Sequence, residues 1–78
     1  MTKVLIIEDD NVISESIARH VSAAGFSPSI VSRGEPGLAR LRYDAPDVCV
    51  VDLMLPDLDG WTLIEAARAE GIGSGQTY

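Results

Sequence analysis

The 78 residues allow one small domain, and a chain of this size buries only about 60% of its unfolded surface. A formal net charge of −6 argues against a grip on nucleic-acid phosphates. The single cysteine, Cys49, excludes a disulfide or a Cys-based metal site and fits a reducing, cytosolic setting.

Met1-Thr2-Lys3 is followed by only four apolar residues before three acids, a pattern of neither a signal peptide nor a membrane span. Those four, Val4-Leu5-Ile6-Ile7, read as a central parallel strand. Glu8-Asp9-Asp10-Asn11 suits a loop and a helix N-cap. From Val12 to Ala24, the residues Val12, Ile13, Ile17, Val21 and Ala24 recur at helical spacing, and Gly25 is a C′ stop. Phe26 to Val31 reads as a second strand. Its Pro28 cannot donate to a ladder, which puts this strand at a sheet edge.

Ser32-Arg33-Gly34-Glu35-Pro36 has the chemistry of a helix start. Leu38 and Leu41 predict a short second helix that Gly37 weakens and Asp44-Ala45-Pro46 breaks. The run Asp47-Val48-Cys49-Val50-Val51 is a third buried strand, and Asp52 sits where it stops. Pro56, Asp57 and Gly60 mark a tight loop before a third helix, from about Trp61 to Glu70 and ended by Gly71. The remainder, 74–78, has linker composition.

The alternation βαβαβα implies α/β architecture with parallel strands and right-handed crossovers. With the Pro28 strand outside, the order is 2-1-3. The Glu8-Asp9-Asp10 loop then meets Asp52 at the carboxyl edge of the sheet, at a topological switch point. Converging carboxylates suit a hard divalent cation, best Mg²⁺. Such an ion allows one carboxylate to act as a nucleophile toward a phosphoryl group.

Ile6-Ile7-Glu8-Asp9-Asp10, the Gly34-Glu35 turn and Asp52-Leu53-Met54-Leu55-Pro56-Asp57-Leu58-Asp59-Gly60 together resemble the receiver domain of two-component response regulators. The resemblance spans residue 1 to about residue 73. It implies a flavodoxin-like (βα) fold and a signalling domain rather than an enzyme. It also implies that Asp52 is the phosphoacceptor, charged by a histidine kinase, with an output domain that is often transcriptional. By the same match Asp9 binds Mg²⁺ directly, Glu8 acts through water, and the Met54 carbonyl is a further ligand. Asp10 falls just past the acidic pair and reads as a loop or cap residue.

Receivers of this kind continue with two more strands and helices that carry a Ser or Thr, a switch aromatic and a Lys. No counterpart follows Gly73, so the chain reads as roughly the first 60% of a receiver, and its phosphotransfer as impaired. The third strand then has the sequence of a central strand at an open edge. Pairing of third strand to third strand across a two-fold axis gives a homodimer with a six-stranded sheet. An assembly module without phosphotransfer is the alternative function.

A second alternative rests on Asp57-Leu58-Asp59-Gly60, which resembles the nucleophile motif of haloacid-dehalogenase-type phosphatases. There the first Asp ends an apolar strand, whereas Pro56 precedes Asp57 here. Asp59 otherwise reads as the residue that holds the turn before the third helix. His20, Cys49 and Trp61 read as a helix-end cation, plain core, and a packing or interface residue.

Overall fold

The computed structural model describes residues 2–52 and 54–69. Expectations for Gly71 and for the tail, 74–78, fall outside those residues. The elements run β1 (Lys3–Ile7), α1 (Asn11–Ala23), β2 (Ser27–Val31), α2 (Gly34–Asp44), β3 (Val48–Val51) and α3 (Gly60–Ala69). The three strands are parallel in the order β2-β1-β3. This is the order read from the sequence, with Pro28 on an edge strand.

Register follows from which side chains must be buried. Leu5 lies opposite Cys49, and Ile7 opposite Val51. Alternation sends these four to one face. There Leu5, Ile7 and Cys49 join Leu38 and Leu41 of α2 and Leu63 and Ala67 of α3 in one core, with Val51, Leu55 and Leu58 packed against it. The right-handed β2–α2–β3 crossover runs opposite in direction to β1–α1–β2 and so places α2 on that face, where α3 packs against it. α1 lies on the other face, over β1 and β2.

Three local readings need correction. Val12 and Ile13 are not inward residues of α1, being 78% and 47% exposed, while Ser14 is only 1% exposed. The helix turns Ser14, Ile17 and Val21 toward the sheet, because it covers two strands rather than three. The second strand starts at Ser27, since Phe26 completes the end of α1. Its N–H donates to Val21 O (3.1 Å), the Gly25 N–H donates to Ser22 O (3.0 Å), and Gly25 takes φ +91°. That is a Schellman stop, a left-handed position that glycine fills without strain.

The third correction concerns Gly37, which lies inside a helix that already begins at Gly34. A Cβ on Gly37 would lie 2.6 Å from Ile7 Cδ1 and 3.0 Å from Cγ1. Glycine is there for close approach of α2 to β1, and that contact outweighs a propensity cost of about 1 kcal/mol.

Gly37→Ala therefore destabilises the fold. Overpacking of about 1–3 kcal/mol exceeds the propensity gained. In a chain that carries Ile7→Val, which removes Cδ1, the same substitution costs less. Urea unfolding of the four proteins in this double-mutant cycle measures the coupling; strictly additive costs would contradict the contact.

Candidate functional site

β1 and β3 end level with each other. Asp52 N–H donates to Ile7 O (2.9 Å), and Glu8 N–H donates to Val31 O on the other side (3.0 Å). Glu8 and Asp52 are thus the next residues after the paired Ile7 and Val51 on adjacent strands, and Asp9 follows. One oxygen each from Glu8, Asp9 and Asp52 lies within 4.8 Å of the other two. Glu8 and Asp52 are half-buried and Asp9 is exposed. A cation with oxygen ligands at ~2.1 Å needs them about 3–4 Å apart. The donor set, all carboxylate oxygen, therefore fits Mg²⁺.

Carboxylates this close repel one another. Burial holds the Glu8 carboxyl above its ordinary 4.5, and the neighbouring Asp52 and Asp9 carboxylates push the same way. The Asp10 N–H, which donates to Glu8 Oε1 (3.1 Å), acts against them. Met54 stands two residues beyond Asp52, and its N–H donates to Asp52 Oδ1 (3.1 Å). Its side chain is 83% exposed, so the sulfur takes no part in the cluster.

The other acids at this edge have different work. Asp10 is the N-cap of α1 and accepts from the Val12 and Ile13 N–H groups (2.9 and 3.2 Å). Asp59 caps α3, accepting from the Thr62 N–H (2.9 Å) and the Thr62 hydroxyl (2.8 Å). Asp57 accepts from the Gly34 and Glu35 N–H groups of α2 (2.7 and 2.9 Å). The phosphatase-like reading fails on this arrangement. Asp57 lies in a loop rather than at a strand end, and both of its carboxylate oxygens serve a helix. Sequence reasoning missed this role of Asp57. The available signal was Arg33, a residue that cannot cap, standing at the N-cap position of α2.

Other candidates lie elsewhere. His20 is exposed in the last turn of α1, with Nδ1 2.7 Å from Ser16 O. Cys49 is fully buried, and burial pushes its thiol up to about 12. Trp61 is 63% exposed in the first turn of α3. At the opposite edge of the sheet, a cavity of about 220 Å³ is lined by Lys3, Ser27, Ser29, Arg40 and Asp44 among others. Its charges answer one another. Arg40 pairs with Asp44 (2.8 Å) and donates to Ser29 Oγ (3.3 Å), while Lys3 Nζ donates to Asp44 O (3.2 Å).

Comparison with known proteins gives one consistent answer. Residues 4–74 match the family model of the response regulator receiver domain. The chain is 41% identical over 69 residues to the transcriptional regulatory protein CseB of Streptomyces coelicolor, covering 88% of this chain and 30% of that protein. It is 35% identical over 66 residues to the transcriptional regulatory protein BaeR of Escherichia coli O6:H1, covering 85% and 28%. Among solved structures, the Francisella response regulator 1452 receiver domain superposes with a TM-score of 0.91 at 29% identity, over 97% of this chain and 63% of that one. The BeF3-activated N-terminal receiver domain of Klebsiella pneumoniae RstA gives 0.84 at 28% identity, over 88% and 59%. The chain thus spans under a third of the length of the relatives it matches by sequence. Among the described residues, no helix is long and apolar enough to cross a membrane.

The carboxylates titrate in opposite senses. Amide donors, from Glu35 and then Gly34 for Asp57 and from Thr62 for Asp59, hold both carboxyls below the ordinary 3.8. The folded state therefore binds their protons less tightly than the unfolded chain. Their stabilisation is present above pH 3.8 and is lost as pH falls below it through their lowered folded-state values. Glu8, raised above 4.5, disfavours the fold as pH rises past that value. Melting curves between pH 2 and 7 should show Asp57→Asn and Asp59→Asn losing less stability on acidification than the wild type. Glu8→Gln should raise the metal-free midpoint near neutrality. Variants with the wild-type pH profile would contradict these assignments.

Proposed function

The chain belongs to the response regulator receiver domain family, and from that premise we propose that Asp52 is its phosphoacceptor. The observation that carries the reading is the convergence of Glu8, Asp9 and Asp52 within 4.8 Å at the ends of adjacent strands. The donor is a phosphohistidine of a histidine kinase. A carboxylate oxygen of Asp52 attacks phosphorus, and the P–N bond breaks with its electron pair passing to the imidazole nitrogen, which takes up a proton. An acyl phosphate on Asp52 results.

Glu8, Asp9, Asp52 and the Met54 carbonyl would hold Mg²⁺, with Glu8 reaching it through water. Bound there, the ion supplies neutralisation of charge between the nucleophile and the phosphoryl oxygens. The chain's own contribution is position. The β1–β3 register aligns the carboxylates, and the Met54 N–H orients that of Asp52. That CseB and BaeR are transcriptional regulatory proteins supports an output in transcription. A cytosolic setting goes with this role and with the free, buried thiol of Cys49.

A second reading concerns assembly and rests on the edge of β3. Among the described residues, β3 pairs on one side only, with β1. Because Asp52 N–H faces β1, alternation turns the N–H and C=O groups of Cys49 and Val51 outward. A second copy satisfies them by antiparallel β3–β3 pairing about a two-fold axis through Val50, with about four interchain hydrogen bonds.

Two outcomes follow. Millimolar Mg²⁺ raises the wild-type midpoint, by an amount equivalent to about 1.4 kcal/mol at ten times the Kd, and acetyl phosphate adds the mass of one phosphoryl group slowly and to only part of the protein. Asp52→Asn melts higher than the wild type without metal, loses the Mg²⁺ shift, and gains no mass. An Mg²⁺ shift of equal size in Asp52→Asn would contradict the assignment.

For the edge, light scattering should find a dimer. Val51→Pro, which removes an outward N–H without touching the β1–β3 ladder, and Val50→Lys should both be folded monomers. A folded wild-type monomer at high micromolar concentration would rule the pairing out.

A further inference from the structure

α2 has no cap of its own. Arg33, at its N-cap position, makes no side-chain hydrogen bond to the helix. The first two amides of the helix, Gly34 and Glu35, donate instead to Asp57 Oδ1 and Oδ2, 23 and 22 residues further along the chain. The fit around this bond is close. A Cβ on Gly34 would lie 2.7 Å from Leu58 Cβ and 3.1 Å from Leu58 O, so the chain at Asp57-Leu58 rests directly on the first turn of α2. Only a residue without a side chain admits that contact.

The same chain carries the site. Between Asp52, tied to Ile7 O through its N–H, and Asp59, tied to Thr62, the segment holds Met54 and the half-buried Leu55 and Leu58. The apolar contacts fix its depth but have no direction. The bidentate bond of Asp57 is directional and charge-assisted, and it ties the segment to an element other than its own two neighbours.

We propose that Asp57 is a positioning residue for the divalent-cation site, its carboxylate clamping the Asp52–Asp59 segment to α2 so that the Asp52 carboxylate and the Met54 carbonyl are held ready for the ion. The inference rests on the reading of Glu8, Asp9 and Asp52 as a Mg²⁺ site. Groups that orient metal ligands without touching the metal typically change affinity by ten- to a hundredfold. The clamp acts at three residues' remove from Met54, which points to the lower end of that range. Coupling is reciprocal. Ion binding that orders the segment tightens the clamp by the same factor, and the first turn of α2 thereby reports the state of the site.

The test uses the whole chain with Mg²⁺ as ligand, in three forms besides the wild type: Asp57→Ala, Asp57→Asn and Gly34→Ala. Calorimetric titration gives Kd, and amide hydrogen exchange at Gly34 and Glu35, with and without Mg²⁺, reads the clamp. Asp57→Ala should weaken Mg²⁺ binding about tenfold and speed exchange at Gly34 and Glu35, with the β1 and β3 amides still protected. Asp57→Asn, which keeps one acceptor oxygen, should lose less. Gly34→Ala, which retains Asp57 but pushes Leu58 away, should weaken Mg²⁺ binding as well, and it carries the test should Asp57→Ala unfold. In the wild type, Mg²⁺ should slow exchange at Gly34 and Glu35. Wild-type affinity in a folded Asp57→Ala or Gly34→Ala chain would overturn the proposal, as would unaltered exchange at the two amides. A wild type that takes up no Mg²⁺ would overturn the metal reading and the positioning role with it. The metal-free exchange data would then still show whether the clamp itself stands.

Discussion

The register between β1 and β3 is the constraint on which the site depends. Ile7 opposite Val51 makes Glu8 and Asp52 neighbours. A slip by one residue would carry Asp52 about 3.3 Å along the strand and turn Cys49 and Val51 away from the α2–α3 core. Two carboxylates 4 Å apart repel by about 4 kcal/mol at the effective dielectric of a protein surface. Each large apolar side chain buried contributes about 1.5–3 kcal/mol, and Leu5, Ile7, Leu41 and Leu63 are all buried in the cluster that fixes this register. The core wins, and it holds the acids together against their own repulsion.

What makes the arrangement tolerable is a division of labour among the acids at the carboxyl edge. All three helices start there. Asp10, Asp57 and Asp59 each satisfy amides at one helix start, where the partial positive charge of the helix dipole favours a carboxylate. Glu8, Asp9 and Asp52 have no such role, and they are the three whose oxygens converge. The raised Glu8 carboxyl and the lowered Asp57 and Asp59 carboxyls express the same division. An edge this rich in acid is stable because half of it is spent on helix starts and the remainder is arranged for a cation.

Much of this was legible in the sequence for identifiable reasons. Val4-Leu5-Ile6-Ile7 and Val48-Cys49-Val50-Val51 are uninterrupted apolar runs, Pro28 marks its strand as an edge, and Asp52 stands where a run stops. Strand order then brought the acidic residues to one place. The start of α2 was legible in residues 32–36, but its glycines were less so, because Gly37 reads only as a weak helix former and Gly34 only as part of a turn. Their reasons for being glycine, Leu58 against one and Ile7 against the other, are tertiary contacts. The inward face of α1 was misjudged because periodicity defines a stripe but not how many strands it covers. The capping role of Asp57 escaped, since its partners lie 22 and 23 residues away and Arg33 at the N-cap position signals only that a cap is missing, not which residue supplies it.

The central claim is that the β1–β3 register builds one cation site from Glu8, Asp9 and Asp52. Titration with Mn²⁺, a paramagnetic ion with similar preference for oxygen ligands, would locate the site directly in an amide NMR spectrum. The account predicts that substoichiometric Mn²⁺ first broadens the amides of residues 8–10 and 52–54, and that excess Mg²⁺ restores them. Broadening centred on another acidic region, such as Asp44 and Asp47 at the opposite edge, or spread evenly over the surface carboxylates, would contradict it.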